Sequence, residues 1–159
     1  MPGSARLAAA MLVVASLLAA PATTAARTWH VPADVATVAA ALDSADAGDV
    51  VEVACGTYVE DDLVIATPSV TLRSATGQPD CVTIDAGGGG RVLRIANATG
   101  IVVDGLTLTG SFAGNYAGGG LAIHGSSAVV RDCVVRGNVS DAPGGGVWID
   151  GPGPVTLQR

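Results

Sequence analysis

The chain contains no lysine. Its 8 basic side chains are all arginine, set against 14 Asp and Glu, and the formal net charge is −6. A surface of that sign repels nucleic acid and acidic membranes, and it repels polyuronates unless a divalent cation bridges them. Aromatic residues are nearly as scarce, at 3%. With Val, Ala, Leu and Gly abundant, this composition suits many short strands joined by glycine turns and not a helical bundle. The three cysteines lack Cys-x-x-Cys spacing and no histidine stands near them, which argues against a zinc site. Long apolar runs are missing except for one, residues 7–20.

That run follows a lone charge, Arg6, and leads into the small residues Pro21-Ala22-Thr23-Thr24-Ala25-Ala26. The layout is that of a secretory signal peptide over 1–26, cut between Ala26 and Arg27. It is shorter than the roughly 20 residues that span a bilayer, and no transmembrane segment is expected after its removal. The protein is expected outside the cytoplasm, whether secreted, on the cell surface or in a periplasm. Such a compartment permits disulfides. Cys55 and Cys81, both beside turn residues, are expected to pair and to add roughly 3–4 kcal/mol. Cys133 falls in an apolar stretch and reads as a small buried hydrophobe.

A glycine triplet returns with its surroundings. Gly118-Gly119-Gly120-Leu121-Ala122-Ile123-His124-Gly125 is echoed 26 positions later by Gly144-Gly145-Gly146-Val147-Trp148-Ile149-Asp150-Gly151. Repetition at this length means one supersecondary unit stacked on itself. An amphipathic helix comes first in the mature chain: Val35, Val38, Ala39, Leu42 and Ala45 fall at helical spacing, with Asp34 as N-cap and Gly48 as stop. Strand candidates then fall into three columns. The first holds 63–65, 92–95, 121–123 and 147–149, and the second 70–72, 101–103, 129–131 and 155–157. The third holds 50–53, 82–84, 106–108 and 133–135.

The corner between the second and third columns shrinks to a single residue, Gly105 or Asp132, both types that accept a left-handed backbone. Gly118, Gly119, Gly120, Gly144, Gly145 and Gly146 mark another corner, and the absence of a Gly-Lys-Ser/Thr ending argues against a phosphate loop. Three strands per turn describe a parallel β-helix whose coils lie ~4.8 Å apart. An antiparallel sandwich is the alternative, and Asp104-Gly105 and Asp150-Gly151 would suit its hairpins, but a sandwich has no reason to repeat. The expected organisation is therefore 27–49 as an N-terminal segment with a capping helix and 50–159 as about four coils. No closing cap follows the last strand candidate, so further coils or domains are expected beyond Arg159.

Two stretches carry a resemblance. The segment from Thr37 through Asp49-Val50-Val51-Glu52-Val53 to Gly56-Thr57-Tyr58 is similar to the opening of right-handed parallel β-helix proteins of the pectin-lyase-like class. The triplets, with Arg131-Asp132-Cys133-Val134-Val135-Arg136-Gly137-Asn138, resemble coils of secreted bacterial β-helix repeat proteins, including NosD-type and polymorphic outer-membrane-protein-type domains. The resemblance implies an all-β, right-handed parallel β-helix. It implies no single activity, because the class holds lyases, esterases, hydrolases and epimerases beside adhesins and scaffolds.

Catalytic sets were sought residue by residue. A polysaccharide lyase needs a base and a cation for the uronate carboxylate. Asp104 with Arg131 one coil later is the nearest approach, and it reads as a cross-strand surface pair. A glycoside hydrolase needs two carboxylates about 5–10 Å apart; Glu60-Asp61-Asp62 are sequential and read as a solvated turn. His124 and Asp150 stand one coil apart and would stack, without an evident third group. No catalytic residue, metal ligand or cofactor is assigned. The expected role is an exported structural or surface-presenting scaffold that binds glycans, with extracellular polysaccharide or cell-surface components as partners. The alternative is the N-terminal part of a polysaccharide lyase, epimerase or hydrolase, for which alone calcium would be expected.

Overall fold

The computed structural model describes residues 25–159. The leader assigned to 1–26 lies outside them except for Ala25 and Ala26. In chain order the elements are β1 (Thr28–Val31), α1 (Val38–Ser44), β2 (Val50–Val53), β3 (Gly56–Val59), β4 (Leu63–Ile65) and β5 (Thr71–Ser74). They continue with β6 (Val82–Asp85), β7 (Leu93–Ala96), β8 (Ile101–Asp104), β9 (Thr107–Thr109) and β10 (Leu121–His124). Last come β11 (Ala128–Arg131), β12 (Val134–Val135), β13 (Val147–Asp150) and β14 (Val155–Gln158).

These strands form three sheets, ordered β4-β7-β10-β13, β1-β2-β5-β8-β11-β14 and β3-β6-β9-β12. Every ladder is parallel, which excludes the antiparallel sandwich. The result is an all-parallel β-solenoid of about four coils, three strands to a coil. Here the sheets are called first, second and third in the order just given.

Like side chains stack inside the coils. Leu63, Leu93, Leu121 and Val147 are in register, as are Ile65, Ile95, Ile123 and Ile149. Leu72, Val103, Val130 and Leu157 line up on the second sheet. In the inner coils these side chains are almost fully buried, and each contributes about 1.5–3 kcal/mol of apolar burial.

The first coil departs from the sequence reading. Strand 50–53 belongs to the second sheet, where it pairs with β1 and β5, and β3 takes the third-sheet position. The sequence signal at β3 was weak because this edge strand is mostly exposed and only Tyr58 turns partly inward. β1 was missed because it is short, half exposed and runs straight into Pro32. The helix begins later than expected. Its N-cap is Thr37, whose hydroxyl accepts from Ala40 N at 3.1 Å. Asp34 instead accepts from His30, at 2.9 Å from its backbone N and 3.0 Å from its ring. The helix ends at Ala45 and not at Gly48, and Val38, Ala41 and Leu42 pack into the core.

Glu60-Asp61-Asp62 is a solvent-facing corner, as expected, with Asp61 and Asp62 exposed and Glu60 half-buried, but its carboxylates are also tied to backbone. Glu60 receives the free N–H groups of Val38 and Ala39 at 2.9 and 2.8 Å. Asp61 accepts from Gly90 N at 2.9 Å, and Asp62 from Arg91 N at 3.2 Å. The cluster staples one coil to the helix on one side and to the next coil on the other.

Asp49 is similarly committed. It is 4% exposed and accepts from Arg27 N at 2.8 Å, Trp29 Nε1 at 3.0 Å and Asp46 N at 3.0 Å. The Arg27 N–H bond does most to hold its carboxyl below the usual carboxylate range, against the opposing effect of burial.

The corners follow the expected chemistry. Gly105 and Asp132 have φ of 67° and 50°. A Cβ on Gly105 would fall 2.5 Å from the Gly77 carbonyl carbon, so only glycine fits between coils there. In the triplets only Gly118 and Gly144 have positive φ, 74° and 76°. The other four stack as a ladder: Gly119 N and Gly120 N donate to Gly144 O and Gly145 O at 3.1 Å each, and Leu121 N donates to Gly146 O at 2.9 Å.

Cys55 and Cys81 are bonded, with Cα atoms 4.5 Å apart. Cys133 precedes β12 and is half-buried, not buried, because it belongs to the last coil, where no neighbour covers the interior. Burial still pushes its thiol up.

Candidate functional site

The outward positions of the first sheet form one rung: Val64, Arg94, Ala122 and Trp148 are in register across β4, β7, β10 and β13. Strand spacing places successive members ~4.8 Å apart along the stack. Ala122 is covered, because the corner glycine Gly118 folds over it; a Cβ there would lie 2.8 Å from the Ala122 Cβ. The corner therefore divides the rung into two halves.

On one side is a cleft of about 260 Å³ lined by Asp62, Val64, Arg91, Arg94 and Tyr116. Residues 111–117 fold back over the sheet and bring Tyr116, 63% exposed, onto Arg91, whose guanidinium lies 5.0 Å from the ring centroid. Among the described residues neither Arg91 nor Arg94 forms an ion pair. Arg91 Nε is buried without a hydrogen-bond partner. Leaving a buried donor unmatched costs on the order of 1–3 kcal/mol. Two free cations beside an aromatic ring are notable in so acidic a chain. The whole chain is acidic, yet this cleft sets two arginines beside one carboxylate, Asp62.

On the other side His124 Nδ1 lies 3.1 Å from Asp150 Oδ2, and the His124 ring is parallel to Trp148 within 3°, centroids 6.1 Å apart. The expected stacking of His124 and Asp150 is thus observed. Its chemistry is limited. Ser126 Oγ, two residues on from His124, donates to the His124 carbonyl at 2.7 Å and accepts from Ala98 N at 3.1 Å. It is committed to the backbone and buried, so it is not a free nucleophile for the pair.

Asp104 and Arg131 do meet, at 2.7 Å, but on the second sheet, away from this rung. Arg73 and Glu52 make an equivalent pair at 2.7 Å on the same sheet. Both are solvent-screened cross-strand surface pairs, which contribute little to stability. Among the described residues no three His, Cys, Asp or Glu side chains gather as a metal site. Arg91, Arg94, Tyr116 and Trp148 were not singled out from the sequence. The 26-residue echo places Trp148 on a strand, and 111–117 stands out in the sequence as a stretch that varies between coils and so could carry a binding surface, but its contact with Arg91 has no local signal.

Comparison with family models, with curated proteins and with solved structures found no match.

Proposed function

We propose that this chain is an exported right-handed β-helix scaffold that presents the outer face of its first sheet to glycans. The reading rests on one observation: Arg91 and Arg94, free of carboxylate partners, line a cleft against the exposed Tyr116 ring. Guanidinium groups recognise carboxylate or sulfate by paired hydrogen bonds. An aromatic face offers a flat apolar contact for a sugar ring. The cleft is smaller than the usual range for drug-sized ligands and suits a single acidic sugar unit. Trp148, beyond the Gly118 corner, offers a second contact further along the stack.

The disulfide supports export, and no helix among the described residues is long and apolar enough to cross a membrane. In this reading α1, packed on β1, β2 and β4, caps the N-terminal coil. The relationship to pectin-lyase-like and NosD-type proteins belongs to the same proposal.

Titration with an acidic tetrasaccharide and its neutral counterpart tests the reading. The acidic sugar binds more tightly, and R91Q/R94Q lowers its affinity at least tenfold while the melting temperature holds. Equal binding of both sugars, or none, defeats it.

A second reading is favoured by the presence of Asp62 in the same cleft as the arginines. In a polysaccharide lyase an arginine and neighbouring acids act on a uronate, with calcium bridging. Appearance of unsaturated sugar products in the same titration, dependent on calcium, would decide for it.

A further inference from the structure

We propose that cleavage before Arg27 creates an α-ammonium group that locks onto the Asp49 carboxylate, so that processing itself tightens the fold. The inference rests on the export reading and is independent of what the first sheet binds.

Ala25, Ala26 and Arg27 are all exposed and precede β1, but among the described residues Arg27 is the first that is hydrogen-bonded to the fold. Arg27 is held from three directions. Its carbonyl accepts from Val50 N at 2.8 Å. Its nitrogen donates to Asp49 Oδ1 at 2.8 Å. Its guanidinium lies 3.6 Å from the centroid of the Trp29 ring, and Trp29 Nε1 donates to Asp49 Oδ2. The cleavage position read from the small-residue pattern and the first anchored residue coincide.

In the uncut chain the Arg27 nitrogen is a neutral amide with one proton to give. An export endoprotease adds water across the Ala26–Arg27 bond: hydroxide goes to the Ala26 carbonyl carbon, which leaves as a carboxylate. The Arg27 nitrogen gains protons and becomes an ammonium at the same place. The donor facing Asp49 then carries charge, and charge-assisted hydrogen bonds are about twice as strong as neutral ones. Asp49 is 4% exposed while Arg27 is exposed, so salt screens the pair only in part.

The charge already acting on Asp49 is the Arg27 guanidinium, from the β1 side. The helix exit contributes the Asp46 backbone N–H. From β5, Thr71 is uncharged and its N–H bonds the Asp49 backbone carbonyl. The ammonium is therefore the one titrating cation added by processing. Its pairing raises its pKa above the ordinary value of about 8. The added stability is full below that ordinary value and is lost as pH rises through the raised one.

The test begins with the full chain in an exporting host, by intact mass and N-terminal sequencing of the product. Thermal unfolding then compares this product with the same disulfide-bonded chain retaining Ala25-Ala26, each also as D49N. The expected product begins at Arg27 and melts about 4 °C above the extended chain near pH 6. That gap closes near pH 10 and in D49N. A product beginning elsewhere overturns the proposal, and so does equal melting of the two chains near pH 6. If D49N does not fold, the comparison of the two wild-type chains at the two pH values decides alone.

Discussion

Single residues carry much of the constraint in this molecule because coils approach one another so closely. A Cβ on Gly120 would fall 2.5 Å from Val135 Cγ1 and 2.8 Å from the Gly146 carbonyl oxygen. Gly120→Ala is expected to destabilise by about 1–3 kcal/mol through overpacking, measured by urea unfolding. Replacing Cys55 and Cys81 by alanine removes a link that closes a loop of 26 residues in separation, for an expected loss of about 3 kcal/mol in the same assay. That pairing was legible in the sequence because both cysteines stand beside turn residues, and the structure places them at one corner of successive coils. The Asp104–Arg131 and His124–Asp150 pairs were legible because their members stand one coil apart. Arg131→Gln should leave the urea midpoint close to that of the parent chain, since the Arg131 side chain is half exposed and its ion pair is screened by solvent.

Acid sensitivity also belongs at this scale. The folded Asp49 carboxyl lies below its unfolded range. Its contribution is therefore present above the unfolded value and lost as pH falls through the folded one. Melting temperature measured across acidic pH should fall less steeply in Asp49→Asn than in the parent chain, from a lower starting point.

Among the elements, the helix shows what local sequence does not contain. Its exposed N–H groups are met by Glu60, 22 and 21 positions away from the residues it caps. A reading of neighbouring residues assigned the cap to Asp34, four residues from the His30 it actually binds. Glu60→Ala is expected to cost about 1 kcal/mol, read by urea unfolding, while Glu60→Gln retains part of it. Strand membership was legible wherever the repeat was established, and it failed in the first coil. There β1 adds an extra strand, and among the described residues no earlier coil offers a match.

Across the whole molecule, stability is a sum over stacked coils. The inner rungs are sealed, but Ile149 and Leu157, in register with buried Ile123 and Val130, are 44% and 55% exposed. β12, β13 and β14 each lie at the end of a sheet. Hydrogen exchange is expected to be slowest at β7 and β8 and fastest at β13 and β14. Uniform exchange along the stack would contradict a nearest-neighbour architecture.

The same stacking gives the first sheet the face proposed to take a ligand, because the outward positions of successive coils align along the axis. The direct test is an amide NMR titration with an acidic tetrasaccharide. The account predicts shifts concentrated at Arg91, Arg94, Tyr116 and their sheet neighbours, extending to Trp148 with longer sugars. Shifts confined to the second sheet, or none at saturating sugar, would contradict it.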